Sequence, residues 1–376
     1  MNFGLSEEQE MLKKSARDFL DEKCPKTLVR EMEEDNKGYT PELWQEMAQL
    51  GWMGLVFPEK YSGSGMSFLD LSVLLEEMGR ACLPGPFFST VVLGGLTILD
   101  AGNNRQKKQY LPRIASGEAI FTLALTEESA KYDAASVRTT AKADKGDYVI
   151  DGTKLFVPDA HIADYILCVA RTGEPAAENG ITIFIVEAKS PGISQTVLKT
   201  IAGDKLCEVV FDRVRVPAEN ILGELGHGWD VVQRVIARAA VAKCCGLVGI
   251  MQSVLEMTVS YAKERRQFDR PIGSFQVIQH YCANMATDVD GSRFSTYQAA
   301  WRLSEGLPSA MEVAIAKAWA GEAYGRVVTL AHQIHGAIGV TIDHDLHFYT
   351  RQGKAAALSY GGGDFYREIV AQEMGL

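Results

Sequence analysis

The spacing of apolar positions changes character twice along the chain. After Ser6 and Gln9, which have capping-box spacing, Leu12, Ala16, Phe19 and Leu20 fall on one helical face. In TPELWQEMAQLGW, Thr40 stands as an N-cap, Pro41 takes the first helical position and Gly51 suits a C-terminal stop. Two further apolar helical stretches follow, interrupted at CLPGPFFS, where Pro84 and Pro86 force a turn. From residue 119 to 225 the pattern alternates instead. YVIDGTKLFV sets Asp151-Gly152 between two β-rich runs and predicts a hairpin there, while GITIFIVEA and CEVVFDRVRVP read as further strands. Beyond Trp229 the helical period returns, in runs as long as GWDVVQRVIARAAVAKCCGLVGIMQSVLEMTVSYAKERR, the length expected of antiparallel bundle helices. The expected fold is α+β in three blocks: an N-terminal helical domain (1–118), a middle β-barrel or sandwich (119–225) and a C-terminal four-helix bundle (226–376).

Composition narrows the function. The 376 residues are 47% hydrophobic and 23% charged, the balance of a soluble globular protein. A formal charge of −10 argues against nucleic-acid binding, which needs clustered Lys and Arg. No stretch of about 18 uninterrupted apolar residues predicts a membrane span, and the N-terminus begins directly in an amphipathic helix without signal or transit character, so a cytoplasmic location is expected. The seven cysteines are scattered without a CxxC pair and read as reduced, mostly buried thiols. His344 and His347 lack a third clustered ligand, and no metal site is expected.

The block order, together with LALTEESAKYD, GTKLFVPDAHIAD, YAKERRQFDRPIGSFQVIQH and QIHGAIGVTIDHDLHFYTR, resembles the acyl-CoA dehydrogenase family of flavoproteins over nearly the whole chain. The resemblance implies an acyl-CoA dehydrogenase-like fold, an FAD cofactor, an acyl-CoA substrate, an electron-transfer flavoprotein as electron acceptor and a homotetramer built from two dimers. Taken alone, ERRQFDRPIGSFQ is a helix end whose arginines complement the dipole before a Pro271 stop. The resemblance implies more: Arg265, Gln267, Phe268 and Gln276 would reach across a dimer interface to a neighbouring subunit's FAD, guanidinium suiting pyrophosphate. Gln333 and Gly336, with Gly339, would form the loop that receives that FAD's adenosine end. Leu123, Leu125 and Thr126 would lie along the isoalloxazine ring, with Phe156 and Val157 on its other wall. Two departures stand out: Lys131-Tyr132 replaces a common Gly-Ser pair, and Pro158, which has neither N–H nor hydroxyl, replaces a common threonine beside flavin N5.

The family's general base, a carboxylate that removes the substrate's α-proton, is missing from its familiar positions. Near the C-terminus, in AALSYGGGDFYREI, the site falls on Tyr360 counting without gaps from Gln333, or on Gly361 aligning on the tyrosine. On the long bundle helix it falls on Ala239 or, as in many bacterial relatives, on Gly246; these are seven residues apart and share one face with Lys243. A relocated base would be Asp364, Tyr360, or Glu76 or Glu77 of the N-terminal domain, acting on a carbon other than Cα, as in a 1,4-elimination from an alicyclic thioester. The alternatives are a non-catalytic subunit of a heteromeric dehydrogenase and a desulfinase, whose C–S cleavage needs no α-proton abstraction. CLPGPFFSTVVLGG, with Phe87, Phe88, Val91 and Val92, would wall the acyl cavity by the same resemblance and favours an apolar or cyclic acyl group over a dicarboxylic one.

Overall fold

The computed structural model describes residues 4–173 and 179–376. Six helices open the chain: α1 (Glu7–Lys23), α2 (Lys26–Glu34), α3 (Pro41–Gln49), α4 (Phe68–Ala81), α5 (Leu96–Ala101) and α6 (Asn104–Ala115). The starts of α1 and α3 follow the sequence signals closely. Ser6 and Gln9 close a reciprocal capping box, Thr40 caps Leu43 N–H, and Gly51 follows α3 with a left-handed φ of 77°.

Eight strands follow, β1 (Phe121–Ala124), β2 (Thr140–Asp144), β3 (Asp147–Pro158), β4 (Tyr165–Arg171), β5 (Ile181–Glu187), β6 (Ile193–Leu198), β7 (Leu206–Pro217) and β8 (Ile221–Leu222). They form one sheet in the order β6-β7-β3-β2-β4-β5-β8, with β1 added parallel to β4. The hairpin expected at Asp151-Gly152 is not there. Strand β3 runs straight through these residues, and the turn lies at Lys145-Gly146, both with positive φ. Asp151-Gly152 marks a β-bulge instead: the Asp151 carboxylate accepts the Arg213 N–H at 2.9 Å, and a Cβ on Gly152 would come within 2.5 Å of the Thr139 hydroxyl. An Asp-Gly pair serves close backbone approach as readily as a turn.

The last block holds α7 (Gly228–Glu264), a short hairpin of β9 (Arg266–Gln267) and β10 (Arg270–Pro271), α8 (Gln276–Ser304), α9 (Ala310–His335), α10 (Leu346–Leu358) and α11 (Gly363–Glu373). By length and composition α7 could cross a membrane, but 67% of its most apolar window is buried inside the protein, the pattern of a core helix.

Two compact units result, one of Met1–Glu31, Ser67–Leu83 and Ala240–Leu376, the other of Met32–Met66 and Pro84–Ala239. In the first, α9 packs on α8, α10 and α11, and α4 lies against α1 and α8. The second holds α3, α5 and α6 together with the sheet. It also holds a π-helix at Phe88–Gly95, a rare form often found at functional sites. Val91 and Val92 of this π-helix are consumed by the unit's own core, leaving Phe88 half-buried. Gly94 and Gly95 let it close on Phe121 and Phe57, since a Cβ at either would approach those side chains to 2.4 and 2.5 Å.

Candidate functional site

In the β-containing unit, residues 125–127 are fixed from behind by a charge pair that the periodicity argument passed over. Lys154, 0% exposed, donates to the Glu127 carboxylate at 2.7 Å and to the Leu125 carbonyl at 3.1 Å. Glu127 also accepts the backbone N–H groups of Arg138 and Thr139 at 2.9 and 3.0 Å. Burial pushes the Glu127 carboxyl up, but the Lys154 charge and these hydrogen bonds outweigh it and hold the group below the usual range. The signal was present: in YVIDGTKLFV, Lys154 stands in phase with the buried Ile150. Leu123 and Leu125 are buried in the unit's core, so any ligand at this edge meets their backbone; the Thr126 hydroxyl has no protein partner among the described residues.

Beside this edge, β3 carries a second irregularity against β7, between Lys154 and Val157. Leu155 N–H donates to the Thr126 carbonyl at 2.8 Å, and Phe156 adopts a left-handed φ of 55° with half its surface exposed. A bulky residue in this conformation is an outlier, and such strain accumulates where a side chain must be aimed. Val157 turns inward and is buried. The Pro158 carbonyl is tied down by the Thr122 hydroxyl at 2.5 Å, and Asp159, also left-handed, accepts from the Ser89 hydroxyl of the π-helix at 2.6 Å. The result is an exposed aromatic face on a rigid mount.

The bundle-containing unit assembles the other motif residues. At the end of α7 the β9–β10 hairpin turns through Phe268 and Asp269, both with positive φ, and Phe268 is 86% exposed at its tip. The Arg270 guanidinium lies 4.1 Å from the centre of the Phe275 ring, bracing the arm. Arg265, Gln267 and Gln276, all exposed, flank it. The root of this arm is pinned to the end of α9: the Tyr261 ring stacks on His335 at 4.6 Å, next to exposed Gly336, whose φ is 63°, three residues after exposed Gln333. Among the described residues no His, Cys, Asp and Glu cluster fit for a metal is found.

The positions weighed for a base differ sharply. Gly361 cannot carry a side chain as the loop stands: its φ is 105°, and a Cβ would lie 2.5 Å from the Phe365 ring and 2.7 Å from that of Tyr366. Tyr360, half-buried, has a φ of 58°, and its carbonyl accepts the Tyr366 hydroxyl at 2.7 Å. Lys317, buried, donates to the carbonyls of Ala356, Ala357 and Gly361 at 3.2, 2.7 and 2.9 Å, which joins the end of α10 to this loop. Burial, opposed by Cys244 and reinforced by half-buried Lys243, pushes the Lys317 ammonium down to about 8. Asp364 is fully exposed and paired with Arg367 at 2.6 Å. Ala239 is buried, whereas Gly246 is half-buried and, its own helix backbone and chain neighbours aside, has no atom of the described residues within 4 Å of where its Cβ would be.

Glu76 and Glu77 are buried and engaged. Glu76 is held by Lys13 at 3.0 Å, Arg293 at 3.2 Å and the Tyr297 hydroxyl at 2.7 Å, and Glu77 by the Arg17 guanidinium at 2.8 and 2.9 Å. Burial raises the Glu76 carboxyl, but the Arg293 and Lys13 charges and the Tyr297 and Lys13 hydrogen bonds more than offset it, so the group sits below its ordinary 4.5. A lowered folded value means that the pair stabilises the fold above about pH 4.5 and loses that contribution as pH falls through the folded value. A melting-temperature series in acid should show this loss, and Glu76→Gln should flatten the part of the slope it causes.

Each unit thus presents an exposed aromatic ring on left-handed backbone, Phe156 in one and Phe268, with arginines beside it, in the other, and such groups suit a flat cofactor with a charged linker. The comparisons agree. The descriptions "Acyl-CoA dehydrogenase, N-terminal domain", "middle domain" and "C-terminal domain" match residues 6–118, 122–214 and 226–375. A glutaryl-CoA dehydrogenase of Desulfococcus multivorans is 33% identical, covering 99% of this chain and 97% of the relative. A chain from the structure of the electron transferring flavoprotein of Acidaminococcus fermentans superposes with a TM-score of 0.92 at 31% identity, covering 100% and 99%. One from the ChsE4-ChsE5 complex of Mycobacterium tuberculosis gives 0.91 at 28% identity, again covering 100% and 99%. The chain belongs to the acyl-CoA dehydrogenase family, whose members are FAD-dependent flavoproteins that oxidise the CH–CH bond of acyl-CoA thioesters.

Proposed function

We propose that this chain oxidises an acyl-CoA thioester and hands the electrons to an electron-transfer flavoprotein, with Tyr360 in place of the family's carboxylate base. FAD, when bound, supplies the hydride acceptor. The residues present suit it: the 125–127 backbone, Thr126 and Phe156 on one side, and Arg265, Gln267, Phe268, Gln276, Gln333 and Gly336 reaching from a second copy in a homotetramer. The observation that carries the reading is the Tyr360 loop. A tyrosine stands on left-handed backbone, its carbonyl held by Tyr366 and that of the next residue, Gly361, by buried Lys317, while the candidate carboxylates are ion-paired. A phenol takes up a proton only as phenolate. Tyr360→Phe should cost about 10²–10⁴ in the rate of flavin reduction while leaving thioester binding unchanged; an unchanged rate rules Tyr360 out.

The hairpin arm makes a separate claim. Phe268 packs on little of its own chain, so Phe268→Ala should change subunit stability by no more than about 0.5 kcal/mol yet lower the fraction of protein purified with flavin.

A second reading, the base-free subunit of a heteromer, is favoured by a specific asymmetry. The residues assigned to a neighbour's cofactor are intact, whereas the departures, Pro158, Lys131-Tyr132 and the vacant base positions, concern this chain's own site. The likeness to a chain of the ChsE4-ChsE5 complex supports it. In that case the isolated chain is inactive, and a co-expressed homologous subunit restores flavin reduction.

A further inference from the structure

Four of the chain's seven histidines, His332, His335, His344 and His347, fall at the end of α9, in the segment after it and at the start of α10. Their hydrogen bonds place the proton on one nitrogen of each ring. His335 Nδ1 lies 2.9 Å from the Ala331 carbonyl, which only accepts, so Nδ1 carries the proton and Nε2 is a bare lone pair. His332 Nε2 lies 2.8 Å from the Thr350 hydroxyl, whose own hydrogen goes to the Leu346 carbonyl, so here Nδ1 is bare. His347 donates through Nε2 to the Ile342 carbonyl at 3.1 Å and accepts at Nδ1 from the Arg351 guanidinium at 3.0 Å. His344 Nδ1 accepts the Leu346 N–H at 3.2 Å. All four rings are built in as neutral imidazole.

The packing demands the same form. His335 Nε2 and His332 Nδ1 are buried with no hydrogen-bond partner, and Gly339 closes over them: a Cβ there would lie 2.9 Å from the His335 Cβ and 3.4 Å from His332 Nδ1. A second proton on either ring would be an unpaired charge in the interior, and one on His347 would face the Arg351 guanidinium. The groups facing the two buried rings are each other, His344, Tyr261 of α7 and Thr350 of α10; among the described residues no carboxylate of α8, α10 or α11 bonds to them or offsets a charge there. Asp345 is paired with Arg30 of α2 at 3.5 Å. Burial pushes both rings below their ordinary 6.5, the Ala331 carbonyl opposing it at His335 and His344 reinforcing it at both.

We propose that these histidines make residues 336–345 an acid-released latch on the root of the hairpin arm, closed while His332 and His335 are neutral and freed when they take up protons. The latch reaches the arm through His335, whose ring carries that of Tyr261 and whose carbonyl accepts the Tyr261 hydroxyl at 3.5 Å; the Tyr261 carbonyl in turn accepts the Arg265 N–H at 2.8 Å. Since the folded values are lowered, the closed form holds fully above about pH 6.5 and loses ground as pH falls toward them. That window lies above the acid loss at Glu76, and the latch operates whether or not a thioester is oxidised.

The test is hydrogen exchange of the purified protein, read by mass spectrometry at about pH 7.5 and about pH 5.5, with labelling times scaled for the intrinsic rate. Opening of residues 336–345 and 261–271 should become easier by about tenfold if one histidine is released and about a hundredfold if both are, while β4 and β5 change by less than about twofold. His335→Phe, which keeps the stack, combined with His332→Gln, which keeps a donor for Thr350, should abolish the pH effect. Equal protection at both pH values in the wild type, or loosening that persists in the double variant, overturns the proposal. A nuclear magnetic resonance titration of the imidazoles needs no variant: two rings should protonate below about 6.5 in step with loss of the segment's protection. Rings that all protonate near 6.5 with the segment still closed overturn it as well.

Discussion

Gly246→Glu, placed in the Tyr360→Phe variant, should let the flavin-loaded protein oxidise straight-chain acyl-CoAs about 10²–10⁴-fold faster than that variant, the usual worth of a positioned general base. Two features of the structure and the family resemblance support this expectation. The site is open at Cβ, so a side chain can leave the helix there without meeting a neighbour at its first atom. It lies on a helix whose rotation is set by the Gly79 and Gly249 contacts, so the new carboxylate has a defined direction. In the family resemblance, this is also a position where a base stands. The matching experiment at the other vacant site should fail: Gly361→Glu meets the Phe365 and Tyr366 rings on backbone with a φ of 105°, and should lower stability without adding activity. Anaerobic stopped-flow reduction, together with thermal melts, separates the two. Gain at 361 and none at 246 would mean that the loop and helix are wrongly assigned to their roles.

Lys154→Met should cost about 3–5 kcal/mol of stability, because it strands the Glu127 carboxylate in the protein interior without its cation. The damage is local as well as global. The Leu125 carbonyl loses its donor, and residues 125–127, the edge assigned to the cofactor, lose their anchor. Flavin content should therefore fall along with the denaturant midpoint. Adding Glu127→Gln should recover part of the stability, since the buried charge disappears while the amide oxygen still accepts one of the Arg138 and Thr139 N–H groups, which bond different oxygens of the carboxylate. A single mutant as stable as the wild type would mean that water reaches Glu127 and that the pair has no structural weight.

Much of this architecture was legible because it depends on local rules. The Ser6–Gln9 box, the Thr40-Pro41 start and the change from a period of 3.6 to one of 2 each act within a few residues, and the helices and strands follow them. What escaped depends on contacts distant in sequence. Asp151-Gly152 has the chemistry of a turn, but whether it turns or bulges is decided by Thr139 and Arg213. The burial of Lys154 is explained only by Glu127, 27 residues away. The π-helix at Phe88–Gly95 depends on glycines meeting Phe121 and Phe57. The motif residues proposed to grip the cofactor rest on resemblance. The tethering of Tyr360 by Lys317 and Tyr366 was not, since it joins three helices of the bundle.

The central claim is that flavin chemistry on a CoA thioester survives without the usual carboxylate. The most direct test is an anaerobic titration of the purified protein with straight-chain, branched and alicyclic acyl-CoAs, following flavin absorbance. Bleaching is expected with a branched or alicyclic thioester, weaker or absent with straight chains, and lost in Tyr360→Phe. A bound flavin that no thioester bleaches, or protein that binds no flavin at all, would contradict it.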